Sequence, residues 1–235
     1  MINKIKKLWN MRSGGAYVRY LRSIGCTIGE QFELFASPFN VFIDPSRPHL
    51  IRIGNNVKIT RNVTILTHGF DWSVLNGVYG DITGSSGKVE IGDNVFIGMN
   101  ATILKGTKIG SNCIVGANSL CNGVYPDNCV IAGNPARVIM NLEDYHDKRV
   151  AKQLEEAVEL AHSYKEKYLV EPPKEAFHEF FWLFTDRNLE LSGIFKHMMS
   201  INGNGSATFE CFKNTKPMFK DYKEFLEYCY NDKNP

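Results

Sequence analysis

Between Ile53 and Val138 the chain obeys a period of six. An aliphatic residue stands at Ile53, Ile59 and Ile65 and, after an interruption, at Ile91, Ile97, Ile103, Ile109 and Val115. Neither an amphipathic helix nor a lone strand repeats at that interval. Glycine follows the aliphatic at Gly54, Gly92, Gly98, Gly110 and Gly116, and the fourth place after it is small or β-branched at Val57, Val63, Val95, Ala101, Thr107, Cys113 and Ser119. A parallel β-helix with short flat strands meets this pattern. The large aliphatic fills the interior, glycine takes a backbone angle that other residues resist, and the small residue fits a tight corner.

The period fails in two places. At the start, Ile24-Gly25 and Ile28-Gly29 are four apart rather than six, and Phe39, Val41 and Ile43 alternate as a strand with Asn40 pointing the other way. Asp44 to His49, with Pro45 and Pro48, reads as a loop. From Ile65 to Ile91 there are 26 residues, two more than four repeats, so the chain leaves the coil in between. Gly69 to Gly87, rich in glycine and carrying Trp72, Tyr79 and Asp81, is expected to be a projecting loop, the kind of excursion on which binding groups sit.

The runs Ile91-Gly92-Asp93-Asn94-Val95-Phe96-Ile97-Gly98 and Ile109-Gly110-Ser111-Asn112-Cys113-Ile114-Val115-Gly116, closed by Ala132-Gly133-Asn134-Pro135-Ala136-Arg137-Val138-Ile139, resemble the hexapeptide-repeat acyltransferases. The likeness is to the sugar and polysaccharide O-acetyltransferases among them and covers residues 24–140. It implies a mainly β chain folded as a left-handed parallel β-helix, a homotrimer, and acetyl-coenzyme A as donor, with no metal. The usual handedness of parallel crossovers would have given the opposite hand.

The same resemblance distributes roles. His68, at the end of the Ile65 unit, matches the general base. A sugar hydroxyl is a poor nucleophile while it keeps its proton, and an imidazole with an ordinary pKa of about 6.5 can take it. Asn40 matches an asparagine that holds the acceptor or donates to a developing oxyanion; its alternative role is a corner residue chosen for its backbone angle. Asp71 and Asp81 are candidates to orient His68 or bind sugar hydroxyls, with a solvated carboxylate as the plainer reading, while Trp72 and Tyr79 would shape the acceptor pocket. The donor's pantetheine arm falls to Gly98, Gly116, Ala117 and Ser119, and its phosphates to Arg137. One departure stands out: Gly123 occupies a place where many relatives carry lysine, which leaves Lys105 or Lys108 as substitutes.

Composition sets the remaining bounds. A net charge of +2 over 235 residues gives no footing for a nucleic-acid partner. Six cysteines without a Cys-x-x-Cys pair, and no signal-peptide pattern, read as reduced thiols of a cytoplasmic protein. No apolar run approaches a membrane span. Residues 1–23 form a basic helical segment, with Ile2, Ile5, Leu8 and Trp9 on one face, a turn at Gly14-Gly15, and a second helix over Tyr17 to Ile24; packing on the coil is preferred to a peripheral membrane contact. The β-helix domain spans 24–141. Residues 142–235 form a helical extension: a helix over Leu142 to Tyr168, a second over Lys174 to Phe184, a turn at Gly203-Asn204-Gly205, and a last helix opened by Pro217. The rival functions are N-acetylation of a nucleotide-linked amino sugar, a non-catalytic scaffold, and a zinc hydratase. The last needs three converging histidines, and only His49 and His68 precede the extension.

Overall fold

The computed structural model describes residues 9–191 and 193–231. Residues 1–8 of the basic start, with Lys4, Lys6 and Lys7 and the apolar Ile2, Ile5 and Leu8, therefore lie outside the described residues. The chain divides into two compact units, residues 1–145 and 146–235.

In the first unit, helix α1 (Gly14–Ile24) is capped by Ser13, whose hydroxyl accepts from the Ala16 amide at 3.2 Å, and ends at Gly25 with φ of 113°. Gly14 and Gly15 thus open this helix instead of separating two. Tyr17, Val18 and Leu21 pack into the same core as the coil's isoleucines. Ile24 belongs to the helix, which is why the first repeat is out of step.

Three strands make each turn of the coil. The first has β1 (Thr27–Ile28), β2 (Glu33–Leu34) and β3 (Phe42–Ile43), and the second β4 (Ile51–Ile53), β5 (Val57–Ile59) and β6 (Thr64–Ile65). The third has β7 (Val89–Ile91), β8 (Val95–Ile97) and β9 (Thr102–Ile103), and the fourth β10 (Lys108–Ile109), β11 (Cys113–Val115) and β12 (Leu120–Cys121). Strands β13 (Val124–Tyr125), β14 (Cys129–Gly133) and β15 (Ala136–Asn141) finish it. Every third strand pairs in parallel, so three sheets form the faces: β1-β4-β7-β10-β13, β2-β5-β8-β11-β14, and β3-β6-β9-β12; β15 folds back antiparallel on β14. Ile91 stacks on Ile109 and Ile97 on Val115, one turn of 18 residues apart. Ile53, Ile59 and Ile65 stack on Ile91, Ile97 and Ile103 at 38 residues, so the excursion is twenty residues added to a turn that otherwise keeps register. The periodic aliphatics are the core, with Ile59, Ile65, Ile97 and Ile103 fully buried, each worth about 1.5–3 kcal/mol of burial. Cys121 fills one of these interior places, and burial pushes its thiol up to about 11, consistent with packing over reactivity.

The glycines do a different job from the one expected. The left-handed backbone angle falls two residues later, on Asn56, Asn62, Asn94, Asn100, Asn112 and Asn118, with φ between 52° and 61°. Gly54, Gly92, Gly98 and Gly110 are glycine because a Cβ there would come within 2.6–2.7 Å of the backbone of the next turn. The asparagines also bond to one another up the corners. Asn56 donates to Asn94, Asn94 to Asn112 and Asn112 to Asn128 at 2.9–3.0 Å, and Asn62 to Asn100 to Asn118 at 3.1 Å.

Two local readings also change. Phe39 is exposed and Pro38–Asn40 is a single 3-10 turn, so only Val41 and Ile43 point inward. The excursion is not all loop: it carries helix α2 (Trp72–Tyr79), headed by Asp71 and closed by Gly80 at φ 77°.

Helix α3 (Leu142–Tyr168) has the bounds its period predicts, but the apolar stripe is buried only in its middle, at Ala157 and Ala161, while Val150 and Tyr168 are exposed. Lys174 to Phe184 forms two 3-10 turns rather than one helix. Helices α4 (Gly193–Ser200) and α5 (Gly205–Asn214) flank the turn at Gly203. The last helix, α6 (Tyr222–Cys229), starts beyond Pro217 because Asp221 caps it, accepting from the Glu224 amide at 2.9 Å. The second unit's core is aromatic: Phe177 meets Phe225 edge-on at 5.1 Å, and Phe181 stacks on Phe195 at 4.9 Å. No helix among the described residues is long and apolar enough to cross a membrane.

Replacing Asn112 by Ala should cost about 3–4 kcal/mol, from about 1–2 for the left-handed angle and about 1 for each of the two ladder bonds lost. Asn112→Gly keeps the angle and should cost about half as much. Urea unfolding followed by loss of strand circular dichroism measures both.

Candidate active site

In the first two corners, the third residue after an inward aliphatic is the left-handed asparagine. In the third corner that place is taken by Ser46 after Ile43 and by His68 after Ile65, and since β3 pairs with β6 the two residues are stacked neighbours. Asp44 follows Ile43 directly. Its amide donates to the Ile65 carbonyl at 3.0 Å, which binds it to the next turn, and its side chain is 2% exposed.

Every contact to that carboxylate comes from a donor. Oδ1 accepts from the Ser46 amide at 2.9 Å and the Ser46 hydroxyl at 2.6 Å; Oδ2 accepts from the Thr67 amide at 3.2 Å, from the Thr67 hydroxyl, and from His68 Nδ1 at 2.8 Å. Burial alone would raise its pKa, but the bonds from Ser46, Thr67 and His68 outweigh it and hold the group well below the usual carboxylate range. An ionised carboxylate only accepts, so the proton of a neutral His68 sits on Nδ1 and Nε2 keeps its lone pair. The imidazole is one-third exposed. Imidazole and carboxylate thus stand in the geometric relation that the His and Asp of Ser-His-Asp sites have.

Asp71 and Asp81, candidates to orient His68, make no hydrogen bond to its ring among the described residues, where Asp44 and Ser46 meet it instead. Asp71 heads α2 with its carboxylate against Gly69, and the Asp81 carbonyl accepts from Asn76 at 3.0 Å. Trp72 opens the helix, edge-on to Phe70 at 4.8 Å, whereas Tyr79 is exposed at the far end, about 10 Å along the axis. Trp72 thus stands four residues after His68 in the chain, with Tyr79 at the other end of the helix that Trp72 opens. Three contacts close the neck of the excursion. His68 and Ser86 form an antiparallel bridge, Gly87 donates to the Thr67 carbonyl at 3.0 Å, and Arg47 donates to the Ser85 carbonyl at 3.1 Å.

Asn40 lies at another corner. Its carbonyl accepts from the Asn62 amide at 2.6 Å, at the foot of the ladder of Asn62, Asn100 and Asn118. A full face separates it from His68, roughly 15–20 Å at about 3.3 Å per extended residue. The expected donor residues share the corner of Asn40. Ala117 is exposed beside Asn118, and Arg137 is exposed on β15, paired with Ala132, which packs over Gly116. Two of the five are consumed by the coil: Gly98 is buried against the Ala117 backbone, and Ser119 is buried with its hydroxyl donating to the Gly116 carbonyl at 2.7 Å. The amides of Gly98 and Gly116 donate to the carbonyls of Val115 and Ile131 of the next turn, both at 2.8 Å. Lys105 and Lys108 are both exposed, as their proposed substitution for a lysine at Gly123 requires.

Comparison with known proteins gives a consistent picture. The family described as bacterial transferase hexapeptide (six repeats) matches residues 88–123. Protein CapG of Staphylococcus aureus is 36% identical over 155 residues, which is 66% of this chain and 88% of that protein. The galactoside O-acetyltransferase of Escherichia coli (strain K12) is 36% identical over 110 residues, 47% of this chain and 52% of the enzyme, so the chain spans about half of that relative. Among solved structures, a maltose O-acetyltransferase from Clostridium difficile 630 aligns at 28% identity over 60% of this chain and 83% of its own, with a TM-score of 0.42.

The folded Asp44 titrates below its unfolded value, so its stabilising effect is complete above the ordinary aspartate range and is lost as pH falls through and below it. Asp44→Asn should therefore lower stability at pH 7 by about 1–3 kcal/mol, the cost of buried donors left unpaired. The gap between the two proteins in urea unfolding should shrink below about pH 4.

Proposed function

We propose, from the premise that the chain belongs to the hexapeptide-repeat transferases and is an acyltransferase, that it transfers acetyl from acetyl-coenzyme A to a hydroxyl of a sugar in a polysaccharide or its precursor. The observation that carries the reading is the His68 imidazole, fixed by the buried, ionised Asp44 at the mouth of the excursion. Nε2 removes the acceptor hydroxyl's proton as its oxygen bonds to the acyl carbon, and the imidazolium, steadied by Asp44, returns that proton to the departing sulfur. Acetyl-coenzyme A, when bound, supplies an acyl group activated as a thioester.

The two edges argue for an assembly. His68 stands on the third corner, while Asn40, Ala117 and Arg137 line the second. One chain alone cannot bring them together. A homotrimer of left-handed coils, with the third corner of each copy facing the second corner of the next, would put the base beside an asparagine amide and an arginine able to hold a phosphate. Exposed Ala117 and Arg137 fit a pantetheine arm and its phosphates better than Gly98 or Ser119, which are turned to the coil.

His68→Ala should lower acetyl transfer by about 10²–10⁴-fold without changing the strand circular dichroism, and Asp44→Asn by up to about 10⁴-fold through the wrong tautomer. Transfer within a few-fold of wild type in His68→Ala would refute the assignment. Chains carrying His68→Ala or Asn40→Ala, each impaired alone, should regain up to about a quarter of wild-type activity when unfolded and reassembled together, as a cyclic trimer with sites between copies requires. No recovery would place the whole site on one chain.

A further inference from the structure

Arg47 follows Ser46, whose hydroxyl bonds to Asp44 at 2.6 Å and lies 3.4 Å from His68 Nδ1. Its guanidinium crosses the neck of the excursion to the Ser85 carbonyl, next to Ser86, the backbone partner of His68. The cation is thus held on the limb whose next residue pairs with the His68 backbone. That single bond uses one of five N–H groups, and among the described residues Arg47 forms no ion pair. Asp44 lies three residues before it, and Asp71 lies on the outgoing limb of the excursion. Asp44 is spent on Ser46, Thr67 and His68, and Asp71 folds against Gly69.

A half-buried guanidinium with unspent donors and no counter-charge is costly to leave unmatched, and its planar fork suits a carboxylate better than a neutral hydroxyl. Phe70 and Trp72 add an aromatic pair on the outgoing limb of the same neck, a surface for a sugar ring. We propose that Arg47 binds a carboxylate of the acceptor, so that the acceptor is a sugar acid of the uronic type. This rests on the acyl-transfer reading of the same site and names its substrate class.

The test uses the full chain and oligosaccharide pairs that differ only in the C6 carboxylate: glucuronate and glucose, galacturonate and galactose, mannuronate and mannose. Titration calorimetry should show at least one acid bound about tenfold or more tighter than its neutral partner. Arg47→Gln should bring that ratio to about one, and Arg47→Lys should keep part of it. An arginine that only clamps the Ser85 limb would weaken acid and neutral sugars together and leave the ratio intact, which overturns the proposal. So does the lack of an acid preference in all three pairs. Thiol release from acetyl-coenzyme A is followed alongside. An acid preference that depends on Arg47, with no transfer to any acceptor, sinks acetyl transfer and leaves the carboxylate site standing.

Discussion

A coil of this kind is possible only if each turn returns to the same place with its corners aligned. Three corners per 18 residues demand an abrupt change of direction that most L-residues resist. Asparagine meets the demand twice over, tolerating the left-handed angle and offering an amide that donates up the stack and accepts from below. One ladder begins at Asn56, whose side-chain Oδ1 is buried with no donor among the described residues, and the preceding turn carries Gln31 at that corner. Inward isoleucines supply the driving force, and the corner amides set the register in which it is used.

The candidate site is a variation on that corner. In the third column the amide ladder gives way to Ser46 and His68, and the adjacent aspartate is drawn under the turn and saturated with donors. The device that elsewhere fixes register here fixes a carboxylate and, through it, a tautomer. Because the stack is rigid, this geometry does not depend on the excursion above it. A coil of stacked turns also keeps its corners apart, so the corner of His68 and the corner of Asn40 and Ala117 do not meet within one chain.

How far the sequence revealed this depends on the kind of interaction. The interior was legible because burial is written as period, and the place of His68 at the mouth of the excursion was legible because the period breaks just behind it, while the role expected of it came from the resemblance alone. Asp44 was not: its role depends on β3 lying under β6, a pairing across 22 residues in a part of the chain where spacing is irregular. The corner angle was open to a closer reading, since asparagine occupies the third place after Ile53, Ile59, Ile91, Ile97, Ile109 and Val115, but glycine at the first place drew the attention that its conformational freedom invites. In the second unit, apolar spacing foretold the long helix yet could not tell helix from successive 3-10 turns around Phe177 and Phe181, where aromatic packing sets the path.

The neck of the excursion has an implication for how such chains diversify. Twenty residues leave and rejoin the stack at nearly one point, pinned by backbone and by Arg47, and none of helix α2 is buried. A segment tethered so narrowly can be lengthened, shortened or rewritten while the turns on either side stay in step. The excursion is thus a removable cap that can vary while the corner of Asp44, Thr67 and His68 is carried forward unchanged at its base.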